Sequence, residues 1–149
     1  MTQVQRGNNR VRYTHWGRGT SIQTPLGDVT RPLAILRVHT QSGPVDIQGL
    51  VDSGADFVVF PQAIADGLGI PYSKAAQTQL NGISGTAPAY RCTTRLEILG
   101  LPTPNRPINC NVLIVNSNWP YPLIGRDPWF NLHHVGFNGL KGVYFFSSP

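Results

Sequence analysis

Two apolar residues lead into a carboxylate in the stretch Leu50-Val51-Asp52-Ser53-Gly54-Ala55-Asp56. A charge that follows an apolar run costs stability unless the fold compensates it. Asp52, beside a hydroxyl residue and a glycine, is therefore the first candidate for proton-transfer chemistry. A second acid, Asp56, follows within the same loop.

Other chemistries find less support. Cys92 and Cys110 are the only cysteines. They fit either a buried thiol pair or a disulfide, and two thiols do not make a metal site. His15, His39 and the pair His133-His134 lack zinc-ligand spacing. Neither a metal nor another cofactor is expected.

The elements that must position Asp52 follow from composition and pattern. The chain has 149 residues, with 16 glycines, 13 prolines and 13% charged residues. That balance favours one domain of short strands and turns over long surface helices or a disordered chain. Val45 to Val51 alternates and then becomes wholly apolar, as a strand does on entering a core, so 52–55 is a loop at its end. Val58-Val59-Phe60 reads as a strand, and Pro61 is suited to the first position of a short helix over 61–68. A strand is expected over 108–115, a loop with Trp119 and Tyr121 over 116–122, and a second short helix from Pro128, capped by Asp127. Val135-Gly136-Phe137 and Val143 to Phe146 read as closing strands around an Asn138-Gly139 turn. There is no internal repeat.

Leu80-Asn81-Gly82-Ile83-Ser84-Gly85-Thr86 is a glycine-rich turn with one large apolar residue at its tip. Residues 78–80 and 89–99 can pair around it as a hairpin. An apolar tip is poorly explained by self-packing and suggests a flap that closes over something, against the alternative of an ordinary surface hairpin.

The net charge of +5 is uneven: Arg6, Arg10, Arg12 and Arg18 all precede the first acid, Asp28. Residues 1–28 are read as a basic, flexible arm or leader, and residues 29–149 as the folded domain. Tyr13, His15 and Trp16 among the arginines make a nucleic-acid arm conceivable. A solvated leader needing no partner is favoured, since no nucleic-acid module follows, and removal by self-cleavage is a third reading. The start of the chain lacks the apolar core of a secretory signal, and no apolar run is long enough to span a bilayer. A cytoplasmic protein without membrane partners is expected, or a virion-internal one if viral.

Asp52-Ser53-Gly54-Ala55, the glycine-rich turn 81–85 and Leu123-Ile124-Gly125-Arg126-Asp127 stand in the order and spacing of retropepsins, with Arg31-Pro32-Leu33 a further match. The chain resembles these single-lobe aspartic proteases over roughly 31–146. The resemblance implies an all-β acid-protease fold with a flap hairpin and one or two short helices, assembling as a homodimer. It implies an endopeptidase in which two carboxylates share one proton and activate water. Because the chain holds a single Asp-Ser-Gly, the second carboxylate must come from a second copy.

On this resemblance Asp52 is catalytic, Ser53 fixes the paired loops, and Gly54 lets substrate backbone approach. Asp56 and Arg126 form a supporting ion pair, and Arg31 reaches Asp56 of the other copy. Leu50, Ala55, Phe57, Val59, Asn81, Gly82, Ile83, Tyr121 and Leu123 bind an extended peptide with apolar residues near the scissile bond. Serine after Asp52 keeps the family's hydroxyl, Phe57 gives an apolar pocket edge where many viral members are polar, and the longer, hairpin-like tail favours a bacterial or cellular relative. An inactive module with the same fold, and nucleic-acid binding through the arm, are the competing functions.

Overall fold

The computed structural model describes residues 2–6, 9–13, 15–101, 106–138 and 142–147, with side chains from residue 17 onward except those of 18, 143, 145 and 147. Fourteen strands, two short α-helices and one 3-10 turn (Lys74–Ala76) occur among them. Five strands precede the main sheet: β1 (Thr2–Arg6), β2 (Asn9–Tyr13), β3 (His15–Arg18), β4 (Thr20–Thr24) and β5 (Gly27–Arg31). The main sheet uses β6 (Leu33–Thr40), β7 (Gly43–Val51), β8 (Val58–Pro61), β9 (Gln77–Gly82), β10 (Gly85–Ile98), β11 (Ile108–Val115) and β12 (Leu123–Ile124). Helix α1 (Gln62–Gly67) follows β8; α2 (Trp129–Leu132), β13 (His134–Asn138) and β14 (Val143–Ser147) end the chain.

The main sheet runs β11-β8-β12-β7-β6-β10-β9, and β10 also pairs with β11. The long β10 makes this closure. Its first part pairs with β9, its middle with β11 from Ala89↔Val115 to Leu96↔Ile108, and its end with β6 from Arg95↔His39 to Ile98↔Leu36. Six strands thus form a closed ring, and β9 projects from it with the start of β10 as a hairpin. Closure satisfies the backbone groups that open edges would leave unpaired.

Alternation fills the ring. Leu36, Val38, Val58, Phe60, Leu96, Ile98, Val112, Ile114 and Ile124 point into one core and are essentially inaccessible. Val58-Val59-Phe60 is buried on both faces, because Val59 joins a smaller cluster with Ala89 and Val115. On the outer surface Arg37 pairs with Asp46 across β6 and β7 at 2.7 Å. No helix among the described residues is long and apolar enough to cross a membrane.

Helix α2 and the C-terminal hairpin pack onto this core through Trp129 of the helix and Tyr144 and Phe146 of the hairpin, all buried. The Phe146 ring meets Tyr144 and the buried His133 edge-on at 5.9 and 6.1 Å. Tyr144 Oη donates to the Leu33 carbonyl at 3.0 Å, tying the hairpin to the start of the ring.

Several expectations need correction. Pro61 is the last residue of β8, with extended ψ of 135°, and caps α1 instead of opening it. Pro128 likewise precedes α2, whose N-terminus receives no side-chain cap; Asp127 instead accepts a long contact from Asn131 at 3.4 Å. The stretch read as a flexible arm includes β3, which pairs with β14 as the third strand of the C-terminal sheet, and Gly19 N–H donates to the Gly142 carbonyl at 2.7 Å. The 28/29 division falls inside β5, which pairs with β4. The arm's arginine side chains at 6, 10, 12 and 18, the aromatic ones at 13, 15 and 16, and Gly139 of the expected turn lie outside the described residues.

Replacing Tyr144 with Phe removes one buried donor and leaves the Leu33 carbonyl without it. We expect a loss of about 1–2 kcal/mol in unfolding free energy, measured by urea denaturation.

Candidate active site

Asp52 stands where β7 leaves the core. Instead of pairing directly with β8, β7 is separated from it by the two-residue β12, parallel to β7 and antiparallel to β8. This inserted strand organises the loop. Leu50 N–H donates to the Pro122 carbonyl at 2.8 Å and Asp52 N–H to the Ile124 carbonyl at 3.0 Å. Beyond β12 the ladder continues, from Arg126 N–H to the Ala55 carbonyl and from Asp127 N–H to the Asp56 carbonyl, both at 2.9 Å. The costly acid after an apolar run is thereby compensated: its backbone is paired and its side chain is half-buried at the surface.

Within the loop, Gly54 N–H donates to Asp52 Oδ1 at 2.8 Å, fixing the carboxylate. Ala55 N–H closes the turn onto the Asp52 carbonyl at 3.3 Å. The Arg126 guanidinium donates to the Asp56 carboxylate. Both side chains of this pair are more than half exposed, so its worth to folding is small and its effect is to position the loop. Gly125 is buried at this crossing, where a Cβ would collide with the carbonyls of Phe57 and Ala55.

A groove of about 500 Å³ opens beside Asp52. Of the residues expected to bind substrate, it brings together Leu50, Val59, Tyr121 and Leu123. Leu80, Ala87, Val115 and Trp119 complete an apolar wall, with Pro61, Asn116 and Ser117 at its margin. Ala55 stays in the loop, half-buried, and Ser53 is exposed. Phe57 lines a separate depression of about 410 Å³ with Arg91, Cys92 and Leu113. Asn81, Gly82 and the fully exposed Ile83 sit at the end of the β9–β10 hairpin, in which 77–82 pair with 85–90, so that residues 79 and 80 meet 88 and 87 and not the 89–99 expected.

Trp119 was the main omission from the expected lining. It stands in a loop without periodic pattern, and one of its partners, Arg31, is distant in sequence. The Arg31 guanidinium lies over its ring at 4.7 Å, and Tyr121 meets it edge-on at 6.4 Å. Trp119 N–H donates to Ser117 Oγ at 3.1 Å.

Cysteine chemistry is disfavoured by position. Cys92 and Cys110 are free thiols on neighbouring strands. Burial raises both pKa values, and Cys110, also facing the charge of Asp127, is pushed up to about 12. Both therefore remain neutral near pH 7 and are poor nucleophiles. Among the described residues no group of three His, Cys, Asp or Glu side chains could hold a metal.

A closed single-lobe β-ring, one Asp-Ser-Gly loop laced to a Gly-Arg segment, and a glycine-tipped hairpin beside an apolar groove define the acid-protease class of fold. The retroviral aspartyl protease family model matches residues 28–133, well over half of the chain, and the chain belongs to that family. It is 26% identical over 105 residues to the Gag-Pro polyprotein and to the Gag-Pro-Pol polyprotein of Human T-cell leukemia virus 3 (strain Pyl43). Each alignment takes in 69% of this chain but only 17% and 7% of those polyproteins. Among solved structures, EIAV protease complexed with the inhibitor HBY-793 is similar with a TM-score of 0.54 and 24% identity, over 69% of this chain and 88% of that one. A retropepsin-like aspartic protease from Rickettsia conorii gives 0.55 at 14% identity, over 84% and 97%.

Gly125→Ala forces a methyl group against the two loop carbonyls and is expected to cost about 1–3 kcal/mol. Arg126→Ala removes an exposed pair and should cost under about 1 kcal/mol. Urea denaturation of both variants checks this ranking.

Proposed function

We propose that the chain is an aspartic endopeptidase that acts as a symmetric homodimer, with one Asp52 from each copy. The observation that carries this reading is the solitary Asp52, its carboxylate oriented by Gly54 N–H, at the mouth of an apolar groove beside the flap hairpin. One such carboxylate cannot serve at once as base and acid. Two facing each other across a twofold axis can, because mutual repulsion keeps one proton on the pair.

Substrate binds as an extended strand, exchanging main-chain hydrogen bonds with the flap and placing alternate side chains in pockets. The ionised carboxylate takes a proton from water as the water oxygen bonds to the scissile carbonyl carbon. The protonated carboxyl gives its proton to the carbonyl oxygen. The tetrahedral diol then breaks its C–N bond as the nitrogen takes the proton held by the first carboxyl and one diol hydroxyl gives its proton to the second carboxylate. A carboxylic acid and an amine are released, and one proton is left on the pair. Ser53 and Gly54 hold the two loops at the axis and leave room for substrate backbone. Ala55, Phe57, Asn81, Gly82 and Ile83, which lie outside the single-chain groove, complete the substrate channel when two copies face each other.

The test combines mass and activity. Wild-type protein should sediment as a dimer and cleave peptides with apolar residues at the scissile bond, with inhibition by pepstatin-type compounds. Asp52→Asn should remain dimeric and lose about 10³-fold or more in kcat/KM. The pH profile should be bell-shaped, falling on the acid side as both carboxyls protonate and on the alkaline side as the shared proton is lost. Equal inertness of wild type and Asp52→Asn, with dimerisation intact, would favour a non-catalytic module. Salt-dependent nucleic-acid affinity lost on removing residues 1–24 would support the arm as a nucleic-acid binder.

A further inference from the structure

Phe57 leaves the Asp52 loop 43% exposed, beside a hollow that the hydrolytic chemistry does not use. That depression, of about 410 Å³, also takes in Arg91, Thr93, Asn111 and Leu113. The sheet register sets these residues on the face that carries the apolar groove. Ala89 pairs with Val115, Arg91 with Leu113 and Thr93 with Asn111, while Leu113 stands beside Val59. Alternation keeps 89, 91 and 93 on one face of β10, and 111, 113 and 115 on one face of β11. Leu113 packs against the cluster of Val59, Ala89 and Val115, of which Val59 and Val115 line the groove, and so divides the two hollows.

The chemistry of the depression differs from that of the groove. Phe57 and Leu113 give it apolar surface, and Arg91 gives it a cation. Among the described residues no carboxylate lies within ion-pair distance of Arg91. Thr93 Oγ1 donates to Asn111 Oδ1 at 3.4 Å, which leaves the Asn111 amide nitrogen as a second donor. A glutamate suits such a place, with its methylenes on the apolar residues and its carboxylate on the guanidinium fork. In an extended peptide, side chains two residues apart share a face at roughly 6.6 Å separation, the same step that divides successive rows of the sheet beneath. A peptide with an apolar side chain in the groove therefore presents its next side chain on that face to the depression. We infer that Arg91, with Phe57 and Asn111 beside it, selects substrates carrying glutamate two positions beyond the apolar residue in the groove, counting away from the scissile bond. The inference rests on the endopeptidase reading and names the substrate class that reading leaves open.

The test uses two peptides identical but for Glu or Gln at that position, and the readout is the ratio of their kcat/KM values. Wild type should favour the Glu peptide about fivefold, mainly through KM, as befits a charge contact at an exposed site. Arg91→Gln should bring the ratio close to one, Arg91→Lys should keep part of it, and Arg91→Glu should favour a Lys peptide. Arg95→Gln, which removes an equal charge farther along β10, should leave the ratio unchanged. A wild-type ratio near one overturns the inference. So does an equal loss of preference in Arg91→Gln and Arg95→Gln, since overall positive charge would then be its source. Binding of both peptides to Asp52→Asn, measured by calorimetry, separates the two layers of the reading. A Glu preference in binding without cleavage by wild type would retain Arg91 as the anion contact and reject the endopeptidase. Cleavage with no Glu preference in either assay would do the reverse, and neither cleavage nor binding would reject both.

Discussion

The backbone ladder between residues 50–56 and 122–127 carries the rest of the site. Four N–H groups cross it, from Leu50, Asp52, Arg126 and Asp127, and none depends on a side chain. A carboxylate can therefore sit at the end of an apolar strand without a buried charge or unpaired backbone. The same ladder brings Tyr121 and Leu123 alongside Leu50, so the fixing of Asp52 and the lining of the groove are one event. Side chains refine what the backbone sets, Gly54 N–H orienting the carboxylate and Arg126 steadying Asp56. Gly125 is the narrowest point, since the two segments approach too closely there for any Cβ.

Much of this was legible in the residues. The alternation of 45–51, the uniformly apolar 58–60 and the glycine-rich 81–85 each report a local property, and the structure has β7, β8 and the hairpin tip in those places. Asp52 stands out as an acid after an apolar run, and the Asp56–Arg126 pair follows from the retropepsin resemblance, whose motifs record a long-range arrangement in short words. Boundaries set by proline were less secure. Pro61 and Pro128 both stand just outside their helices, because a fixed φ suits a cap as well as a first turn.

The partners missed were those made by distant segments without a local pattern. Nothing in His15-Trp16-Gly17-Arg18 announces a strand that pairs with residues near 145, and a positive, turn-rich stretch is easily read as an arm. Trp119 carries no such pattern either: Arg31, which lies over its ring, stands far upstream in the sequence. The expected pocket list also mixed two populations. Leu50, Val59, Tyr121 and Leu123 meet in one chain, whereas Phe57 opens on a different depression and Ile83 stands free at the hairpin tip.

The insertion of β12 between β7 and β8 also orders events in time. Asp56 and Arg126 are seventy residues apart, and contacts of such separation form slowly because a large loop must close first. On a ribosome, β7 and β8 are both made well before β12 exists to part them. The Asp52 loop can take its braced form only once residues 122–127 have emerged. A nascent chain therefore carries Asp52 in an unassembled loop until residues 122–127 have been made.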